Sequence, residues 1–207
     1  MLAICLDLEG VLIPEIWINV AERTGITALT RTTRDEPDYD RLMSYRLGIL
    51  DQNNIKMDDI TSTIGSMEPM EGATEFLASL ESRWPTLILS DTFSQFAKPM
   101  MKKLGNPTLL CHTLLIDDTG RIEDWKIRYD DHKRKTVDSL IEMNYQVIAA
   151  GDSYNDTSML SAASAGILFR PPENVIEEFP QFPVAMDYSE LIDEIESAAT
   201  DLGELWN

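Results

Sequence analysis

The sequence is poor in cysteine, in positive charge and in long apolar runs. Only two cysteines occur, Cys5 and Cys111, both inside apolar stretches. Two thiols cannot build a disulfide framework, so buried free thiols in a reducing compartment, and with them a cytoplasmic location, are expected. Lysine and arginine number 17 against 36 acidic residues, a net charge of −19. Such a field repels phosphate backbones and anionic lipid surfaces, which argues against nucleic acid and membrane as partners, and most of it reads as a solubilising surface. No apolar run approaches the ~20 residues of a membrane span, and Asp7 and Glu9 interrupt the opening apolar stretch, which argues against a signal peptide. Histidine is scarce as well: His112 and His132 are the two present. Neither has a metal-binding partner in the pattern of the sequence, so both read as structural.

What is present points to an α/β protein. The 207 residues suffice for one well-buried core with a small inserted subdomain. Apolar runs at Leu2–Leu6, Thr86–Leu89, Leu109–Cys111, Val147–Ala150 and Gly166–Phe169 read as buried strands. Helical patterns lie between them, at Glu71–Trp84, Ser94–Leu104, Lys133–Met143 and Asn155–Ala163, and an acidic tail from Ser189 onward reads as a last helix. Strands alternating with helices predict a doubly wound, mostly parallel sheet. Asp117-Asp118-Thr119-Gly120, between Leu114–Ile116 and Ile122–Ile127, reads as a hairpin turn. Pro171-Pro172 reads as a rigid loop, and Met100-Met101 as core packing. After the first strand the rhythm breaks: Ile16–Thr24, Asp38–Leu50 and Met57–Ile64 look helical, with no core strand among them. Such an insertion would sit over the crevice at the strand ends, as a cap or as a helical layer packed on the sheet.

Two acidic signatures follow directly on strands: Asp7-Leu8-Glu9-Gly10, and Gly151-Asp152-Ser153-Tyr154-Asn155-Asp156. In an open α/β sheet both would face one crevice, where crowded carboxylates call for a hard divalent cation. Ser90-Asp91-Thr92 closes the second strand and offers a hydroxyl, from Ser90 or from Thr92, with backbone N–H groups at a helix start. Lys133 opens a helix. Hydroxyl, lysine, helix N-termini and a carboxylate-bound cation together suit a transferring phosphoryl group, with an aspartate as nucleophile. Each residue has a plainer reading. Asp7 could cap a turn, Ser90 could be a helix N-cap, Lys133 could join Arg134 and Lys135 on a solvated face, and Arg46 could pair with an acid on its own helix.

Together the Asp-x-Glu opening, Ser90, Lys133 and the GDSYND box resemble, in order and across essentially the whole chain, the haloacid dehalogenase superfamily. Within it they resemble the phosphoserine phosphatase branch and its ThrH type, described as phosphoserine phosphatase/homoserine phosphotransferase. The resemblance implies a core of residues 1–14 and 68–207 with a helical cap of residues 15–67. It implies Asp7 as nucleophile, and Glu9 as the acid that protonates the leaving hydroxyl and then activates water. Glu9 stands where most family members carry Asp. Ser90, Asp91, Lys133 and Asn155 would hold the phosphoryl group, and Asp7, the Glu9 carbonyl, Asp152 and Asp156 would surround Mg²⁺. Glu15 would meet the amino group and Arg46 the carboxylate of a small amino acid, phosphoserine as donor and homoserine as a second acceptor. A homodimer is also suggested. The alternatives are a capped phosphatase of another small metabolite and a non-catalytic phosphate-binding module; the latter would be expected to lack the nucleophile, the lysine or the metal acid, and none is missing.

Overall fold

The computed structural model describes residues 1–32, 35–36 and 38–203. Strand β1 (Leu2–Leu6) is buried along its whole length. Its side chains alternate: Leu2, Ile4 and Leu6 join one apolar cluster, Ala3 and Cys5 another. A strand apolar on both faces belongs in the middle of a sheet covered on both sides, and that is where β1 lies. Parallel to it run β2 (Thr86–Phe93) and β5 (Gln146–Gly151), one on each side. Beyond β2 come β3 (Thr108–Ile116), parallel, and β4 (Ile122–Lys126), antiparallel; beyond β5 come β6 (Ala165–Phe169) and the two-residue β7 (Val184–Ala185). Among the described residues the sheet order is β4-β3-β2-β1-β5-β6-β7. The doubly wound, mostly parallel α/β sheet expected from the sequence is therefore observed.

Between β1 and α4 (Ala73–Glu81) lie three helices, α1 (Ile16–Thr24), α2 (Tyr39–Gln52) and α3 (Met57–Gly65), with a 3₁₀ turn at Thr27–Thr30. Residues 33, 34 and 37 of this insertion lie outside the described residues. Among the described residues the insertion shares the core of the sheet. Ile16, Trp17, Met43, Ile60 and Ile64 belong to the same cluster as Leu6, Ile148 and Phe169 of the sheet. Trp17 meets Phe96 of α5 (Ser94–Lys103) edge-on, ring centroids 5.4 Å apart. The β3–β4 hairpin also grips the insertion: Met57 N–H donates to Gly120 O at 2.9 Å, and Arg121 Nε to Asp51 at 2.7 Å. Its turn is the expected one, closed by Gly120 N–H on Asp117 O, with Gly120 at φ +82°.

The opposite face is covered by α6 (His132–Glu142), α7 (Thr157–Ala162) and α8 (Glu173–Glu178), through Val137, Leu140, Met159, Leu160 and Val175. Helix α9 (Tyr188–Asp201) closes the first face; residues 204–207 of the expected tail lie outside the described residues. Helix α8 and strand β7 were not expected. Pro171-Pro172 is the irregular stretch expected after β6, but Pro172 is also the N-cap of α8, and β7 is too short to show a period. Strand β2 runs to Phe93, so Ser90 is a strand residue and not the N-cap considered above.

Phe96 is fully buried between Trp17 and Phe93. Phe96→Ala should cost about 3–5 kcal/mol. In urea it should lower one shared midpoint, seen alike by tryptophan fluorescence and far-UV circular dichroism. Two separated transitions would show that the insertion folds on a core of its own.

Candidate active site

The chain leaves β1 toward β2 and leaves β5 toward β6, in opposite directions. Crevices at such a reversal are where ligands bind in open α/β sheets. Asp7 follows β1 and Asp152 follows β5, with Asp7 N–H donating to Ala150 O at 2.9 Å. The ladder thus fixes two carboxylates side by side, and Asp156 joins them: one oxygen from each lies within 4.8 Å of the others.

Lys133, in the first turn of α6, ties the group together. Its Nζ donates to Asp7 at 2.8 Å and to Asp156 at 2.7 Å. Burial opposes its charge, but Asp156, Asp7 and Asp91 outweigh that and hold its pKa well above the ordinary lysine value. Asp156 is fully buried and also accepts the N–H groups of Asp152 and Ser153, both at 3.1 Å. Its oxygens are thus engaged in holding Lys133 and the loop. Three acids face one lysine. Burial and then the charge of Asp156 push Asp7 well above the carboxylate range, and the same causes, with Glu15, push Asp152 up to about 7. This excess of hard oxygen and negative charge fits a divalent cation, and it is a candidate acidic metal site.

Two glycines that the sequence reading passed over are part of the construction. Gly10 has φ +80°, and a Cβ there would stand 2.5 Å from the Asp152 carboxyl carbon; a Cβ on Gly151 would stand 2.4 Å from that of Asp156. Each sits beside a site acid in the sequence, and that adjacency was the available signal.

Glu9 turns away from this group, toward the insertion. Its Oε2 accepts Ile16 N–H at 2.8 Å. Burial and the nearby charge of Glu15 raise it to about 7, while Ile16, the Thr92 hydroxyl and Arg46 restrain the rise. Thr92 therefore serves Glu9, while the buried Ser90 hydroxyl accepts Thr92 N–H at 3.2 Å. Arg46 is buried, stacked with its guanidinium carbon 4.5 Å from the Trp17 ring centre, and anchored by Nη2 on Arg31 O at 2.8 Å. Its Nε has no partner. Glu15 precedes α1 and makes no capping bond there. Asp91 accepts Asn155 Nδ2 at 3.1 Å and lies 3.7 Å from Lys133 Nζ. On its far side stand His112 and His132: the two histidines, read from the sequence as structural and without a metal-binding partner, share one cluster with Asp91. The pairing crosses three separate strands and helices, and no local pattern reveals it. Tyr39 of α2 also reaches this point, its hydroxyl donating to Asp91 O at 3.1 Å.

No family model matches the chain. It is 58% identical over 187 residues to the phosphoserine phosphatase ThrH of Pseudomonas aeruginosa, covering 90% of this chain and 91% of that protein. The chain belongs to the ThrH-type phosphoserine phosphatase family, within the haloacid dehalogenase superfamily. A phosphoserine phosphatase of Pseudomonas syringae is 55% identical, over 90% of this chain and 79% of its own. Among solved structures, a phospho-aspartyl intermediate analogue of phosphoserine phosphatase superposes with a TM-score of 0.75 at 18% identity, over 93% of this chain and 97% of that one. At that identity the likeness to this member of the family is one of fold. No helix of the described residues is long and apolar enough to cross a membrane.

A carboxyl whose folded-state pKa is raised keeps its proton where the unfolded chain has lost it. Asp152, at about 7 in the fold against 3.8, therefore contributes less stability as pH climbs from about 4 to about 7. A divalent cation should reverse that loss, and protons compete with it. Mg²⁺ should raise the melting temperature more at pH 8 than at pH 5, and Gly10→Ala should abolish the rise. Equal shifts at both pH values, or an undiminished shift in Gly10→Ala, would place the ion elsewhere.

Proposed function

We propose that the chain is a Mg²⁺-dependent phosphatase that hydrolyses O-phospho-L-serine to L-serine and phosphate, with Asp7 as nucleophile. The observation that carries this reading is the Lys133 ammonium bridging Asp7 and Asp156 beside Asp152, with the half-buried Glu9 close by, its pKa raised to about 7. Asp7 and Asp152, with the Glu9 carbonyl and Asp156 completing the surroundings, would hold Mg²⁺, which supplies positive charge against the phosphoryl oxygens.

The residues of the chain account for the rest. An Asp7 oxygen attacks phosphorus, the bond from phosphorus to the serine oxygen breaks, and Glu9 gives that oxygen its proton. Glu9 then takes a proton from water, the hydroxide attacks phosphorus, and the bond to Asp7 breaks to release phosphate. A carboxyl near 7 suits both directions of transfer at neutral pH. Lys133, Ser90 and Asn155 bind the phosphoryl oxygens. Residues 15–67 act as the cap over the core of residues 1–14 and 68–207, and they carry the choice of substrate. Arg46 is held by stacking and by one carbonyl, with Nε left free in a buried place. It meets the carboxylate of the amino acid, and Glu15 meets its ammonium. The same handles admit homoserine in place of the departed serine, so transfer to that hydroxyl is a second fate of the phosphoryl group.

Product analysis with phosphoserine, with and without homoserine, tests the reading: serine and phosphate are expected, with phosphohomoserine when homoserine is present. Turnover of an aryl phosphate but not of phosphoserine would point to another small metabolite. Asp7→Asn should abolish turnover, and Glu9→Gln should cost on the order of 10²–10⁴ in rate. Arg46→Ala should lose a charge-assisted contact of about 2–3 kcal/mol, roughly 30- to 150-fold in kcat/KM for phosphoserine, and little for the aryl phosphate. Equal losses on both substrates would deny Arg46 its carboxylate.

A further inference from the structure

Two imidazoles converge on one oxygen of Asp91. His132 Nε2 lies 3.2 Å and His112 Nε2 3.6 Å from Asp91 Oδ1. The rings are tilted against each other with centroids 4.6 Å apart, and both histidines are buried. The other oxygen, Oδ2, faces the site: Asn155 Nδ2 donates to it at 3.1 Å, and Lys133 Nζ lies 3.7 Å away. His112, His132 and Asp91 also have the composition of a metal site, with ligand atoms within 4.8 Å of one another.

The outer nitrogens decide between a metal and a clamp. An imidazole that binds a metal through Nε2 donates its Nδ1–H to a carboxylate, carbonyl or water. His112 Nδ1 instead accepts the backbone N–H of Arg128 at 3.2 Å. A nitrogen that accepts carries no proton, so in the neutral ring the proton sits on Nε2 and points at Asp91. Neither nitrogen of His132 makes a well-aligned hydrogen bond, but Nε2 lies 3.2 Å from a carboxylate oxygen while Nδ1 is buried with no partner, so the proton is better placed on Nε2. Both histidines thus present Nε2–H donors, and neither offers a lone pair to an ion.

We propose that His112 and His132 form a paired N–H clamp that turns the Asp91 carboxylate toward Lys133 and Asn155, making Asp91 a positioning residue for the phosphoryl-binding pair and not a contact of the substrate. This rests on the phosphatase reading above. The lysine ammonium has three protons, of which Asp7 and Asp156 take two. Asp91 supplies the third charge around it and fixes the amide of Asn155. Lys133 in return, with both histidines, outweighs burial and keeps Asp91 well below the carboxylate range. The clamp itself touches neither the phosphoryl group nor the amino-acid end.

The test combines ring tautomers with kinetics. Long-range ¹H–¹⁵N spectra of the full chain should show both histidines with the proton on Nε2 and Nδ1 bare. His132→Leu should lower kcat for phosphoserine and for an aryl phosphate by the same factor, on the order of tenfold to a hundredfold. Inhibition by free L-serine should stay unchanged, and His132→Gln, which restores an N–H donor, should recover part of the rate. A proton on Nδ1, a stoichiometric metal ion lost in His112→Gln, or undiminished rates in His132→Leu would each overturn the clamp. So would a loss confined to phosphoserine. Absence of turnover in the unmodified chain would instead overturn the phosphatase reading, while the tautomers would still decide the clamp.

Discussion

One buried ammonium, that of Lys133, joins the two ends of the chain's chemistry. It binds Asp7 from the first strand and Asp156 from the turn after the fifth. Taking such charges out of water costs several kcal/mol per ion, recovered only where geometry is good and the remaining lone pairs are met. Asp156 meets that condition, with two backbone N–H groups besides the lysine. Asp7 accepts Leu8 N–H besides the lysine, yet it and Asp152 are still pushed toward their protonated forms by burial and by Asp156. The site is therefore built with an excess of acids over its one lysine, a strain that a divalent cation can relieve. Strain of this kind, held by surroundings that over-determine it, is a mark of functional sites.

The sheet does the over-determining. Strand β1 is locked between β2 and β5 with both faces buried, so Asp7 cannot shift along the ladder without exposing Leu2, Ile4 or Leu6. Glycines at 10 and 151 allow Asp152 and Asp156 to approach within distances that a side chain would forbid. On the other side of the crevice, Arg46 hangs from α2, and Glu9, in the loop after β1, is held by the first N–H of α1; the insertion shares the core of the sheet through Trp17 and Phe96. Rigid support on both sides is what near-attack geometry requires.

Much of the fold was legible because it is local. Apolar runs ending in Asp7-Leu8-Glu9 and in Gly151-Asp152 announce buried strands, and α1 begins and ends where its pattern does, at Ile16–Thr24. That Asp7 and Asp152 meet follows from strand-end logic alone. What escaped was non-local or too small. Strand β7 has two residues, α8 hides behind a proline pair, and β2 runs on through Ser90-Asp91-Thr92, where polar residues suggest a strand end. The partners of Asp91 come from β3 and α6, and the service of Thr92 to Glu9 spans 83 positions, so neither leaves a spacing to read.

The central claim is that Asp7 carries the phosphoryl group in mid-reaction. Acid quench of the chain turning over ³²P-labelled phosphoserine, followed by peptide mapping, tests it directly. The account predicts hydroxylamine-labile label on the peptide containing Asp7, and none in Asp7→Asn. Steady turnover with no label on Asp7, or label on any other residue, would contradict it.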